Sequence, residues 1–520
     1  MTPEHERAAL STRDGTGIAG LSLRAPVVGA AFALLVFVLR SSTFFQSVEN
    51  WDESLYLLMA RSLLDGHAPY TEVWNHKPPG IVLLFALGQL AFGRTVASIR
   101  ILACLAVSAS CLLLFLIGRS LRNPTTGIVA GLLYATFSLD YGRSSCLELF
   151  YTPLVLCAFF LVLTRDVEEL FERPALPLAL GVAGGLALQL KFVVVFDLAA
   201  LALFVLASAW RHGTPAWPAR ILRFFALAAL PSLVFFAVAV VSFAAAGHLG
   251  DYLDANFTAN ARYVSQGSYD YAKLGWMIQR RIRESFPLWL TLFLGPFYLL
   301  FFRALDSRTR RGLAAGLLWA AFALLGIYAP RRLFAHYFLE LLPSQCLVTA
   351  LVVCWTIDAA GAAPAAPAGL LLVLVLLGPV LRAVDKPLRR TAEIVKHRYV
   401  EGVDQWGDEP AAVAAYLRPK LGENDYLYVA DYHPILYYLL PVRAPTRFLF
   451  PPFLVDEHWS TVTGVDREQE VRAIFLKRPR YVVKSGEHAT PFYRLVREEL
   501  DRSYRLEHTI GSVEIYRRRD

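Results

Sequence analysis

The sequence predicts a polytopic α-helical membrane protein: about eleven transmembrane helices, external juxtamembrane helices and a small C-terminal α/β domain. Three observations carry that prediction. Hydrophobic residues make up 56% of the 520 and charged residues only 18%, with a mean hydropathy of +0.44, far more apolar than an ordinary soluble domain. Apolar runs of about 15 to 25 residues recur along the chain. After about residue 385 the runs stop and the composition becomes charged and punctuated.

The N-terminal stretch "MTPEHERAALSTRDGTGIAGLSLRAP" is too long and acidic for the n-region of a signal peptide, and no small-residue cleavage site follows it. Residues 1–24 are therefore expected to form a cytoplasmic tail, with the first run retained as a helix. Candidate spans cover about 25–44, 97–118, 126–140, 148–164, 176–190, 193–210, 222–247, 286–303, 312–329, 334–355 and 368–384. The run "PGIVLLFALGQLAFG" stands apart. Its length of about 14 residues covers ~21 Å as a helix, against a hydrocarbon core of ~30 Å, so it is expected to lie at the interface or dip partly into it. With that segment skipped, the arginine-rich loops "GRSLRNP", "TRDVEELFERP", "RHGTPAWPARILR" and "RALDSRTRRG" share the side of the N-terminus, as the positive-inside rule expects, although "QRRIRES" and "PRRLF" are basic yet external. The expected organisation is a transmembrane domain over 25–384 with an external loop at 45–96, then an extracytoplasmic α/β domain over 385–520, in the cell inner membrane.

The net charge of +8 does not point to nucleic acid, because most basic residues flank membrane runs and set topology. All six cysteines lie in or beside apolar runs, so neither structural disulfides nor a cysteine zinc site is expected. In the tail, "PAAVAAYLRPKL" and "HPILYYLL" read as helices and "DYLYVA", "PRYVVKS" and "SVEIYRR" as strands, a small α/β pattern. It contains no glycine-rich phosphate loop, and a nucleotide site is not indicated.

The chemistry gathers in "NWDESLYLLMARSLLDGHAPYTEVWNHKPPG". Asn50 caps a helix whose third position is Glu53, the capping-box pattern. Leu55, Leu58, Met59 and Leu63 fall near one face and Gly66 ends the helix, giving an amphipathic helix expected on the outer membrane surface. Asp52 and Glu53 in its first turn also complement the helix dipole, which alone explains them structurally. Tyr56 follows one turn later. Pro78 and Pro79 fix a corner that holds His76 and Lys77 in place. A cation is thereby presented near an anion at the bilayer boundary.

The order Trp51-Asp52-Glu53, Tyr56, Ala60-Arg61, Leu64, Gly66, Pro69-Tyr70, Trp74, Lys77-Pro78-Pro79-Gly80 and Phe92-Gly93 resembles bacterial GT-C glycosyltransferases. The resemblance is to the family that holds lipid A aminoarabinose transferase and protein O-mannosyltransferase-like enzymes, strongest over 50–93 and weaker to about 350. It implies transfer of a sugar from a polyprenyl-phosphate-linked donor to a lipid, glycan or protein acceptor on the outer membrane face. Asp52 resembles the family's essential acid, and Lys77 the lysine that borders the carrier phosphate. Glu148 in "SSCLELFYTP" matches an acid after the third span, and Lys191 in "GGLALQLKF" a lysine closing a Gly-rich helix. Arg331, Arg332, His336 and Tyr337 in "PRRLFAHYFLELLP" fit a late external motif. The resemblance thus implies Asp52 and Glu148 as catalytic, and Lys77, Lys191, Arg331 and Arg332 as binding donor phosphate. Glu53, Tyr56, His76, His336 and Tyr337 are implied as substrate-binding. One departure matters: close relatives of the aminoarabinose enzyme carry Glu where this chain has His76, so a metal role assigned through that Glu does not transfer.

A departing polyprenyl phosphate gains negative charge, which Lys or Arg in a partly dry site stabilises. An attacking hydroxyl gains from a carboxylate that takes its proton. Asp52 is the candidate base or acceptor-positioning acid. A divalent ion held by Asp52 and Glu148 stays open, since no spacing marks one. Snorkelling at helix ends explains Lys191 or Glu148 equally cheaply. Arg280, Arg281 and Arg283 are read equally as gripping a pyrophosphate or phosphate and as anchoring a helix. The alternative function is a transporter or flippase of polyprenyl-linked or other solutes, although no internal repeat is visible and the polar residues cluster outside the spans. A scaffold role leaves the acid and the Lys-Pro-Pro corner unexplained. An oligosaccharyltransferase would carry a Trp-Trp-Asp-Tyr-Gly signature, which is missing.

Overall fold

A computed structural model describes residues 24–212, 217–267, 270–360, 366–485 and 491–519. Apart from Arg24, the expected N-terminal tail lies outside them. The apolar runs form helices α1 (Ala25–Leu39), α2 (Trp51–Leu64), α3 (Gly80–Phe92), α4 (Val96–Leu121), α5 (Pro124–Tyr141), α6 (Leu147–Leu163), α7 (Ala175–Leu188), α8 (Val194–His212) and α9 (Trp217–Ala245). They continue as α10 (Tyr271–Glu284), α11 (Phe286–Phe301), α12 (Ser307–Tyr328), α13 (Leu342–Ala360) and α14 (Ala366–Val395). Every segment expected to span is helical. Among the described residues, 5 helices are long and apolar enough to cross a membrane on their own, or 6 when α10 and α11, bent by 99°, count as one span. Helices α1, α6 and α7 are apolar but shorter, as is α3.

The helix ends sort into two groups. Arg122 pairs with Asp306 at 3.4 Å and Asp358 at 2.6 Å, and Arg311 donates to the carbonyl of Arg165 at 2.8 Å. These contacts draw the junctions after α4, α6, α11 and α13 to one end of the bundle. Glu53, Ser145 and Arg100 meet at the other. Helix α3 starts and finishes at that second end: Gly80 N–H donates to Gln189 O at 3.0 Å, and Arg94 just beyond α3 pairs with Asp65 at 2.7 Å. One face of α3 buries Ile81, Val82 and Phe85, while Leu83, Leu87, Leu90 and Phe92 are exposed. That stripe of large apolar groups suits a helix pressed against lipid.

Small residues let the helices approach. A side chain at Gly181 would run into the carbonyl of Ala228, and one at Gly185 into Ser232, so α7 and α9 pack with their backbones nearly touching. The Lys-Pro-Pro-Gly corner uses the same device. A Cβ at Gly80 would collide with the Gln189 carbonyl that accepts its N–H.

Helix α2 departs from expectation. Every side chain from Glu53 to Ala60 is buried, and Arg61 donates to the carbonyls of Tyr437 at 2.6 Å and Tyr438 at 3.4 Å. The helix is enclosed between the bundle and the C-terminal region instead of resting on a membrane surface. Its hydrophobic face matches the sequence, but the opposite face found a protein partner.

The C-terminal region runs α15 (Glu409–Leu417), β1 (Leu427–Asp431), α16 (Arg467–Leu476), β2 (Tyr481–Ser485), α17 (Pro491–Ser503), β3 (Tyr504–Ile510) and β4 (Val513–Arg518), with sheet order β1-β2-β4-β3. Strand β1 is parallel to β2, and the β2–β4 and β3–β4 pairs are antiparallel. The strands expected from "DYLYVA", "PRYVVKS" and "SVEIYRR" form β1, β2 and β4. Strand β3 was not anticipated, because it is an edge strand with mostly exposed residues and no apolar alternation.

Gly80→Ala should therefore lower the unfolding temperature of the detergent-purified protein, since overpacking against a fixed backbone carbonyl costs ~1–3 kcal/mol. Unchanged stability would mean that the corner and the α7 turn are not locked together.

Candidate active site

The cavity between the bundle and the C-terminal sheet domain has a volume of about 310 Å³. Its walls include Asp52, Tyr56, His76, Lys77, Glu148, Lys191, His336 and Tyr337. Eight residues anticipated from the sequence, contributed by five separate stretches of chain, thus meet in one space. Each is placed by an identifiable local device. Asn50 Oδ1 accepts from Asp52 N–H at 2.8 Å and starts α2 with Asp52 in its first turn. Lys77 and His76 are held through their carbonyls, which accept from Tyr70 Oη at 2.9 Å and Asn260 Nδ2 at 2.9 Å. Lys191 sits in the turn after α7, two residues past the carbonyl that docks Gly80. Glu148 occupies the first turn of α6.

The charges are paired but not spent. Lys191 Nζ lies 2.5 Å from Glu148 Oε1 and 4.1 Å from the centre of the Tyr337 ring. Lys77 Nζ is 3.1 Å from His76 Nε2 and 5.7 Å from the Tyr263 ring centre. Burial, and next the nearby Lys191 ammonium, push Lys77 down to about 8. Burial and the Lys77 cation push His76 well below the usual histidine range, so His76 is neutral at pH 7. It therefore serves Lys77 as a neutral neighbour.

Glu53 is placed elsewhere. Both of its oxygens receive Arg100, at 2.6 Å each, and they also accept from Glu49 N–H at 2.5 Å and Ser145 N–H at 2.9 Å. Both ion-pair side chains are 1% exposed. Glu53 does not line the cavity; it ties α2 to α4 and to the loop that leads into Glu148. The capping box is correspondingly shifted, because Arg100 holds the Glu53 carboxylate and its back-bond goes to Glu49 instead of Asn50.

Arg331 and Arg332 line a neighbouring cavity of about 390 Å³. Phe334 and Trp459 belong to the walls of both cavities. Arg332 lies 4.6 Å from the Tyr263 ring centre and 4.8 Å from that of Trp459. Arg280 and Arg281 share Glu284, at 2.8 and 2.7 Å, and Arg281 packs 4.5 Å above Tyr141, which favours anchoring for that buried arginine.

Tyr263 was not anticipated from sequence. Its hydroxyl is 2.8 Å from that of Tyr337, its ring stacks on His76 at 5.0 Å, and Lys77 and Arg332 lie over it. No motif marks it within "TANARYVSQGSYDY". Arg100 was visible in principle, as a lone arginine inside an apolar helix is a sign of a buried partner. Phe450, Phe453 and Trp459 bring an aromatic wall from the C-terminal region, and Trp51 Nε1 donates to His433 Nε2 at 3.3 Å across the same junction.

Among the described residues no group of three or more His, Cys, Asp or Glu converges as a metal site. Glu148 is engaged by Lys191, so a hard divalent cation here would rest on Asp52 together with oxygens from a bound phosphate.

One protein family, described as Dolichyl-phosphate-mannose-protein mannosyltransferase, matches over residues 76–241. An undecaprenyl phosphate-alpha-4-amino-4-deoxy-L-arabinose arabinosyl transferase from Pseudomonas paraeruginosa is 34% identical over 99 residues, covering 18% of this chain and 18% of that protein. The matched stretch is thus less than a fifth of that relative's length. ArnT from Cupriavidus metallidurans bound to undecaprenyl phosphate superposes with a TM-score of 0.60 at 15% identity, covering 94% of this chain and 97% of that one. Its apo state gives 0.57 at 15% identity, over 94% and 97%. The fold is that of a GT-C membrane protein. Within that class the chain resembles the aminoarabinose-transferase and O-mannosyltransferase type.

Arg100→Met should strand Glu53 in the interior and cost ~3–5 kcal/mol, while Glu53→Leu combined with Arg100→Met should recover most of that loss. Thermal unfolding of the three proteins in detergent reads this directly. An Arg100→Met protein as stable as the parent would show that the pair does not hold α2 in place.

Proposed function

We propose that the chain is an integral-membrane glycosyltransferase that moves a sugar from a polyprenyl-phosphate-linked donor to a lipid, glycan or protein acceptor on the outer face of the membrane. The observation that carries this reading is the single cavity lined by Asp52, Lys77, Glu148 and Lys191 at one end of a GT-C bundle. The family match and the arabinosyl transferase relative support the polyprenyl-phosphate donor.

The acceptor hydroxyl oxygen bonds to the anomeric carbon as the bond from that carbon to the phosphate oxygen breaks, its electron pair leaving with the phosphate. Asp52 takes the hydroxyl proton. Lys77 and Lys191 offset the charge that grows on the phosphate, in a space walled by aromatic rings that exclude water. Glu148 keeps Lys191 charged and aimed. Arg331 and Arg332 add positive potential from across the wall formed by Phe334 and Trp459. If the acceptor is itself a phosphate, Asp52 orients it and no proton is taken.

The proposed topology has eleven spans, a cytoplasmic N-terminus and residues 385–520 outside. The arginine-rich junctions gathered around Arg122 and Arg311, opposite the cavity, support it. The return of α3 to the cavity end supports its reading as an interfacial helix.

Purified protein incubated with radiolabelled polyprenyl-phosphate sugars and membrane extract should transfer label, and Asp52→Asn and Lys77→Ala should each reduce transfer by at least about a hundredfold. Transfer that survives both substitutions would remove the site assignment. Failure with every lipid donor, together with uptake into vesicles, would favour a transporter.

The Lys77 shift gives a pH test. Before phosphate binds, Lys77 is half neutral near pH 8. A bound phosphate favours the ammonium, so binding above that pH takes up a proton and weakens by up to about tenfold per pH unit. Affinity for undecaprenyl phosphate should be flat from about pH 7 to about 8 and fall beyond, and Lys77→Arg should move the fall to higher pH. An affinity that is level to about pH 10 would contradict the placement of Lys77 against the phosphate.

A further inference from the structure

Helix α10 has a face that the catalytic reading does not use. It meets α11 at a bend of 99°. Helix α11 leaves Phe293, Phe297, Leu300 and Phe301 exposed at 63, 57, 75 and 70%, which fits side chains turned to hydrocarbon. A helix bent nearly at right angles from such a span runs along the membrane surface. Its exposed side carries Tyr271 and Trp276, 74 and 57% exposed, together with Arg280 and Arg283. Residues 276, 280 and 283 follow helical spacing and share one face.

The composition of that face matches a headgroup layer. Tryptophan and tyrosine concentrate at the boundary between hydrocarbon and water, where an amphipathic ring is half solvated on either side. The Arg280 guanidinium lies 5.5 Å from the Trp276 ring centre, so ring and cation form one unit. The neighbouring acid does not cancel the charge. Glu284 is shared between Arg280 and the buried Arg281, and Arg283 makes no ion pair among the described residues. The unmatched positive charge sits beside aromatics, the combination that suits the level of lipid phosphates.

We propose that the Trp276–Arg280–Arg283 face of α10 is a docking surface for anionic phospholipid headgroups of the surrounding bilayer. It is distinct from the donor cavity: none of the three residues lines that cavity or its neighbour. Lys273 and Leu274, on the same helix, do line the neighbouring cavity. Lipid bound on α10 therefore steadies one wall of that cavity from outside. The surface does not depend on the transferase reading, and each can fail without the other.

Native mass spectrometry of the full chain in detergent, titrated with phosphatidylglycerol or phosphatidylcholine, tests the proposal. The parent should prefer phosphatidylglycerol. Arg280→Gln with Arg283→Gln should lose that preference by about fivefold for each arginine, the equivalent of ~1 kcal/mol per basic side chain at an anionic surface. Trp276→Ala should weaken binding of both lipids. Arg494→Gln with Arg502→Gln, which removes the same charge from exposed sites on α17, should leave the preference unchanged. Unfolding temperature checks that the α10 variants stay folded, as surface changes of this kind cost little. Equal losses from both double variants would reduce the effect to net charge and overturn the docking surface, as would an α10 variant that keeps the parent's preference.

Discussion

Burial of ionised groups in a low-dielectric space is the constraint on which this structure turns. Lys191 and Glu148 sit 2.5 Å apart with the carboxylate 1% exposed, and the Lys77 ammonium lies beside the rings of His76 and Tyr263. Charges are tolerated there only if the backbone around them cannot relax away. The Gly80 N–H to Gln189 O bond supplies that rigidity, because it fixes the Lys77 corner against the turn that bears Lys191. The Glu53–Arg100 pair does the same from the other side, tying the Asp52 helix to the loop before Glu148. The proposed transfer needs cations that are dry enough to act strongly on a phosphate and fixed in place, and these two locks hold the backbone around the cavity.

Much of the architecture was legible because a bilayer simplifies the code. Long apolar runs have few alternatives to helix, and all the segments read as spans are helical. The short run at 80–92 was set apart by its length together with the placement of the arginine-rich loops, since α7 is nearly as short and was still read as a span. The tail was harder. Strands β1, β2 and β4 announced themselves through apolar cores, whereas β3, "YRLEHTI", exposes a mixed set, Arg505, Leu506, His508 and Thr509, and depends on pairing with β4 for its identity.

At the site, the sequence showed which residue types belong together but not which of them touch. Asp52, Lys77, Glu148 and Lys191 do share a cavity. Glu53, adjacent to Asp52 in sequence, points to a different face of the helix and meets Arg100, a partner 47 positions along. The one-residue step on a helix rotates a side chain by about 100°, enough to separate a cavity-lining acid from a structural one. Tyr263 was invisible for the complementary reason: it sits on a short helix, Ala259–Ser265, whose sequence carries no motif, and it matters only because Tyr337 and His76 come to it.

The most direct test is a cryo-electron microscopy structure of the full chain with undecaprenyl phosphate. The account predicts phosphate density within hydrogen-bonding reach of both Lys77 and Lys191, in the cavity that Asp52 lines. Phosphate seated only against Arg331 and Arg332 beyond Trp459, or at any place touching neither lysine, would contradict it.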